Sequence, residues 1–134
     1  MREIKFRAWD KHFKVMRDVT WIDFEEGAIT YNWIFGDSAS SIGRAFLDIE
    51  LMQSTDLYDS VNNEIWEGYI VELYNNLTGD REVHEVVYSA PSFGLKRNGN
   101  IISLWGIDVD LVKLKVIGNV YETPELLKVK NERK

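Results

Sequence analysis

The chain has no cysteine. That absence excludes disulfides, thiolate metal ligands and a cysteine nucleophile together. Histidine is nearly as scarce: His12 and His84 lie far apart in the sequence. Without cysteine partners, a zinc site would need carboxylates gathered by the fold. No apolar run approaches the roughly 20 residues that span a bilayer. The N-terminal stretch "MREIKFRAWDKHFK" has no apolar segment of the signal-peptide kind. The sequon Asn76-Leu77-Thr78 then carries no weight, because glycosylation needs a secretory route. Also missing are a phosphate-cradling glycine loop, a dinucleotide fingerprint, a nucleophile elbow and an H-E-x-x-H pair. There is no internal repeat, heptad or low-complexity tract. These absences predict a soluble cytoplasmic protein that is not an enzyme, takes no cofactor and does not meet a membrane.

What is present is apolar mass and unevenly placed charge. Of the 134 residues, 45% are hydrophobic and 13% aromatic, enough to fill the core of one domain rather than remain disordered. The net charge is −6. Met1–Arg17 holds six basic and two acidic residues, Asp18–Glu67 eleven acidic residues and one basic, and Gly68–Lys134 nine of each. An acidic block repels a phosphate backbone unless folding hides it. Its plain reading is a solvated face that favours solubility.

Most of the chain reads as strand. Ile4, Phe6 and Ala8 alternate with Lys5, Arg7 and Trp9, the period of a half-buried strand. "VTWIDF" and "AITYNWIF" flank Glu25-Glu26-Gly27 and predict a hairpin. "GDSASSIGR" is small and polar and reads as a linker over residues 36–44. It sets off an N-terminal β piece, residues 1–35, too small to fold alone and a candidate oligomerisation element. Beyond it, "AFLDIELM" is ambiguous between helix and strand. "YIVELY", "REVHEVVY", "SFGLKR", "IISLW" and "LVKLKVI" read as short strands, with Asn98-Gly99 as a hairpin turn. Thr123-Pro124-Glu125 opens a short helix, with Thr123 as its cap. The expected fold is mainly β: an SH3-like small barrel over about residues 45–121, an N-terminal β-hairpin extension and a short C-terminal helix closing the 45–134 domain. An OB-like barrel is the alternative.

Chemistry-bearing constellations are weak. Asp108 and Asp110 share a strand face and could hold a divalent ion, though polar loop chemistry accounts for them as well. Glu64 and Glu67 bracket Trp66, but sugar cleavage needs a cleft with two placed carboxyls. Lys5, Arg7 and Lys14, interleaved with Phe6, Trp9 and Phe13, form a candidate nucleic-acid face. An ordinary strand with cations outward and aromatics inward explains the same pattern. Trp21, Trp33, Trp66 and Trp105 read as core or interface anchors.

Three blocks carry a resemblance. They are "MREIKFRAWDKHFKVM", "LMQSTDLYDSVNNEIWEGYIVEL" and "VIGNVYETPELL". The second is similar to the pattern L-M-Q-Y-T-G-L-x-D-x-x-G-x-x-I-Y-E-G-D-I-V, and the third to V-I-G-N-I-Y-E-N-P-E-L-L. In this order and spacing they resemble the YopX family of phage and prophage proteins across nearly the whole chain. The resemblance implies a small β-rich protein with SH3-like character; it supplies no biochemical activity. It singles out Gln53, Thr55, Leu57, Glu67, Gly68, Ile70, Gly118, Asn119 and Pro124. The residues themselves suggest structural work: a bulge or close backbone approach at Gly68, an amide bonding across the sheet at Gln53, a bend at Gly118-Asn119. This sequence departs from the pattern at Asp56 and Asn62, where it has glycine, and at Tyr69, where it has aspartate. A catalytic or metal-binding role for that aspartate is not preserved here.

The expected function is a non-enzymatic phage or prophage accessory protein that binds an unidentified host or phage protein and assembles with its own copies. The rival is a nucleic-acid-binding small barrel. A variant of it reverses the sign, with the Asp18–Glu67 block imitating DNA phosphate to occupy a host DNA-binding protein.

Overall fold

The structure, a computed structural model, describes residues 3–107 and 112–132. The strands are β1 (Phe6–Asp10), β2 (Val15–Asp23), β3 (Ala28–Phe35), β4 (Ser38–Ala45), β5 (Ile49–Tyr58), β6 (Glu64–Trp66), β7 (Tyr69–Asn75), β8 (Arg81–Ser89), β9 (Ser92–Arg97), β10 (Asn100–Ser103) and β11 (Val112–Asn119). The helix α1 spans Glu125–Glu132. The chain divides into two compact units, Met1–Ser54 and Thr55–Lys134.

In the first unit β1 pairs with β2 and, on its other side, with the first part of β5. β3 pairs with β2 and β4. All these ladders are antiparallel. The β2–β3 turn closes because Asp23 Oδ1 accepts the Glu25 and Glu26 N–H groups, both at 3.0 Å, and Gly27 takes φ +68°. Alternation puts one face inward: Ala8, Ile29, Tyr31 and Ile49 form the core, flanked by Val19, Ile22, Trp33 and Ile42.

The second unit carries a sheet in the order β10-β9-β8-β7-β11, every neighbour antiparallel. The later part of β5 belongs to this unit, where Thr55 Oγ1 donates to the Ile65 carbonyl of β6 at 2.6 Å. Ile65, Val71, Leu73, Val86 and Leu95 make its core, with Tyr69, Leu104, Leu114 and Val116 packed against it. α1 lies against β8.

The sheets are open rather than closed into a barrel. The second runs from β10 to β11, and among the described residues no ladder joins those edges. The β11 edge is occupied instead: Ser60 N–H donates to the Leu114 carbonyl at 2.9 Å and Val116 N–H to Asp59 Oδ2 at 2.8 Å. The stretch expected as a linker, residues 36–44, is largely strand β4, paired with β3 from Ser38 to Ala45. Its Ser, Ala and Gly residues have little intrinsic strand preference, and full-length pairing overrides that composition. The unit boundary falls at Ser54/Thr55, not in that stretch. "AFLDIELM" is both things, a 3-10 turn at Phe46–Asp48 followed by β5. Thr123 does not cap α1 with its side chain. Its hydroxyl instead bonds the Asn119 backbone, donating to the carbonyl and accepting the N–H, each at 3.1 Å.

Candidate functional site

Among the family-pattern residues, Gly68, Thr55, Gly118 and Asn119 make contacts that organise the backbone. Gly68 takes φ +84°; its N–H donates to the Val86 carbonyl at 2.8 Å, and its own carbonyl accepts the Val120 N–H at 2.9 Å. Thr55 is buried, and its Oγ1 also accepts the Leu57 N–H. Ile70 is fully buried, Gln53 stands opposite Phe6 in the β5–β1 ladder, and Leu57 and Pro124 are exposed. Glu67 lies in the turn from β6 to β7. Gly118 sits at a register shift in β11, where a methyl group would overlap Thr123 Oγ1 and lie 2.9 Å from Leu126 Cδ1. Asn119 Oδ1 accepts the Tyr121 and Glu122 N–H groups at 3.0 and 2.9 Å, locking the turn into α1. The departures fit as well. Asp56 and Asn62 sit at φ +64° and +69°, where glycine is free of strain. Tyr69 lends its ring to the second core.

Sequence reasoning passed over two buried carboxylates that organise turns. Asp10 is fully buried at the end of β1. It accepts the Tyr31 hydroxyl at 2.7 Å, Arg44 Nε at 2.8 Å, and the His12 and Phe13 N–H groups at 2.9 and 3.1 Å. Burial raises its pKa, but the bonds from Tyr31, Phe13, Arg44 and His12 outweigh that and hold it below the usual value. Tyr31 is pushed up to about 12, by burial and then by Asp10. Asp59 is the counterpart in the second unit. Its Oδ1 accepts the Val61 and Asn63 N–H groups at 3.0 and 2.7 Å, and Oδ2 accepts that of Val116. Burial again raises and these bonds lower its pKa, with a net lowering. Both carboxylates have their acceptor capacity taken up by structural donors, which leaves little for chemistry on a substrate. The sequence signal was a lone Asp followed at once by a turn, the Asx-turn pattern.

His84 is buried on β8, opposite Val71. Its Nε2 lies 3.1 Å from Glu82 Oε1, while Nδ1 has no hydrogen-bond partner. Burial depresses its pKa, and the Glu82 contact counteracts only part of that. His12 stands in the turn after β1, its ring edge-on to Phe13 at 4.8 Å. Among the described residues no group of three or more His, Asp or Glu side chains is arranged to hold a metal ion. Asp108 and Asp110 lie outside the described residues. Glu64 opens β6 with buried Trp66 two residues on, in a strand rather than a cleft.

The structure does not gather the candidate nucleic-acid cations into one free face. Lys5 Nζ lies 3.4 Å from Glu3, and Arg7 Nε lies 2.8 Å from Asp18. Lys14 is exposed in the β1–β2 turn at φ +57°. Two other cations stack on rings, Arg17 over Trp33 at 5.1 Å and Arg44 over Phe13 at 4.7 Å. Of the tryptophans, Trp66 is buried and Trp33 is half-buried against the first core, whereas Trp21 and Trp105 are exposed.

An apolar opening lies elsewhere. A groove of about 600 Å³ runs beside β9 and β10, lined by Ser92, Phe93, Gly94, Ile101, Ser103 and Trp105 among others. None of its described lining residues is charged. Trp105 is 91% exposed, and Ile101 and Ile102 remain nearly half-exposed. Gly94 lets β10 close on β9, since a Cβ there would stand 2.8 Å from the Ile102 carbonyl oxygen.

The profile of the YopX protein family matches residues 5–128. The chain belongs to the YopX family. Two solved structures extend the comparison. Protein EF1440 from Enterococcus faecalis is 27% identical, with 95% of this chain and 99% of that one covered at a TM-score of 0.65. Protein yopX from Bacillus subtilis is 21% identical, with 92% and 97% covered at a TM-score of 0.67, a likeness of fold. No curated protein matches. YopX-family membership thus accounts for the three sequence blocks and for the fold that their residues hold in place.

Proposed function

We propose that this YopX-family protein is a phage- or prophage-encoded accessory protein that works by binding protein, not by catalysis. One observation carries the reading: an uncharged apolar groove of about 600 Å³ beside a tryptophan that is 91% exposed. Exposed apolar patches rimmed by polar residues mark interaction sites, and tryptophan is the residue type most often found anchoring them. The saturation of Asp10 and Asp59 by structural bonds supports the non-enzymatic half of the reading. Self-assembly belongs to the same proposal, since a surface that takes one protein strand takes another by the same contacts.

The test is affinity capture from host lysate with the full chain and with Trp105→Ala, each with and without nuclease. A stoichiometric protein held by the native chain after nuclease, and lost with Trp105→Ala, is the expected result. Capture that depends on nucleic acid, or that ignores Trp105, overturns the assignment.

A further inference from the structure

An edge strand offers a row of unpaired N–H and C=O groups, and proteins guard such edges with charge, bulges or covering loops. The second sheet has two edges. β11 is guarded on every count: Asp59 and Ser60 bond its backbone, Lys113 and Lys115 stand exposed along it, and its register slips between Val116 and Gly118. Among the described residues β10 has no charge, bulge or covering loop, and its one guard is its short length of four residues. Asn100–Ser103 is exposed throughout and uncharged, and among the described residues nothing pairs with its outer side.

The turn fixes which groups face out. Asn98 at φ +52° and Gly99 at φ +82° make the two-residue primed hairpin, so the flanking Arg97 and Asn100 exchange both their hydrogen bonds. Alternation then makes Leu95 and Ile102 the next bonded pair. The N–H and C=O groups of Ile101 and Ser103 are therefore the ones that point away from β9. β4 is also an edge, but apart from Ile42, which packs on the first core, and Arg44, its residues are Ser, Ala and Gly and offer little apolar area to bury. β10 offers Ile101 and Ile102, with Trp105 and the groove beside them.

We propose that β10 is a self-pairing edge. Two copies of this chain join antiparallel about a two-fold axis at Ile102, so that their second sheets run on into one. This rests on the protein-binding reading above and names the occupant of that surface. In this register Ile101 faces Ser103 of the second copy, every outward N–H and C=O of the pair is satisfied, and the two Ile102 side chains meet at the axis. Charge does not bar a second copy at this seam. Two chains of net charge −6 repel, yet Asn98–Ile107 carries no charge, so the edge strand itself adds no repulsion to the pairing.

Sedimentation equilibrium of the full chain over a concentration series tests it. A reversible dimer is expected. Ile101→Pro removes an outward N–H without touching the β9 ladder, and Ile101→Lys places like charges across the seam. Each should weaken the dimer by about tenfold or more while far-ultraviolet circular dichroism is unchanged. Amide exchange of the native chain needs no variant: the Ile101 and Ser103 amides should gain protection as concentration rises. A chain monomeric at every concentration, a dimer indifferent to both variants, or exchange at these amides independent of concentration overturns the proposal. A monomer that still captures protein through Trp105 leaves the binding reading standing with a different occupant. A monomer whose capture ignores Trp105 removes both.

Discussion

At the scale of single residues, the buried carboxylates set the terms. Asp10 gathers a phenol, a guanidinium and two backbone N–H groups inside the first unit. Removing its charge leaves Arg44 facing a weaker acceptor and turns one oxygen into a donor. Asp10→Asn should therefore cost about 2–4 kcal/mol in urea denaturation, against about 1 kcal/mol for Tyr31→Phe, which deletes one donor only. Equal costs for the two would show that the charge carries no weight. His84 makes a separate prediction, about pH. Its folded pKa lies below the unfolded value because burial disfavours the charged ring. Between the two values the unfolded chain binds more protons, so the stability that His84 contributes is complete above about 6.5 and is lost as pH falls below it. Asp10 and Asp59, whose pKa values are lowered, lose theirs only below about 4. A drop in urea midpoint between about pH 7 and 5 should thus belong to His84, and His84→Gln should flatten it. An undiminished drop in that variant would assign it elsewhere.

At the scale of elements, the tightest junction joins β11 to α1. Gly118 is not needed there for a left-handed backbone; it is needed for space, because a methyl group would strike Thr123 Oγ1 and press on Leu126. Gly118→Ala should cost about 1–3 kcal/mol by thermal unfolding. Adding Thr123→Ala, which removes the struck hydroxyl, should cost less than the two changes summed. Strict additivity would mean that the clash is relieved another way. This junction also shows what could be read in advance. The G-N…T-P run announced a bend and a helix start, and both are there. The partner of the Thr123 hydroxyl was not legible, because Asn119 and the first turn of α1 compete for it and only three-dimensional geometry decides. Alternation announced β1, β8 and β11, and β-branched and aromatic content announced β7, each from its own residues. β4 escaped notice because it is held by its neighbour rather than by its composition. The barrel failed for a related reason: strand count is local, whereas closure depends on which edges meet, and the Asp59 turn occupies one of them. The groove was legible only through Trp105, which the sequence left between a core and an interface anchor. Nothing in sequence tells an exposed tryptophan from a core one.

At the scale of the whole molecule, the two cores share none of the described residues. The buried residues of one come from Ala8 to Ile49 and those of the other from Ile65 to Leu95, with flanking partners on the same side of the Ser54/Thr55 boundary. Where the chain can be cut follows from this. Truncation after Phe35 removes β1 to β3 and leaves β4 with its whole ladder, Ser38 to Ala45, unpaired. That product should aggregate, since an unpaired strand recruits others. A fragment beginning at Thr55 keeps every buried member of the second core, the Thr55 bond to β6, the Asp59 cover of β11 and the helix. It should unfold in urea as one cooperative transition with a slope of about 1 kcal/mol/M, as expected for a domain of this size. It should also keep the concentration-dependent protection at Ile101 and Ser103. A fragment that binds hydrophobic dye and melts without cooperativity would show that this core depends on more than its own residues. A cooperative fragment that lost the protection would place the self-pairing edge outside β10.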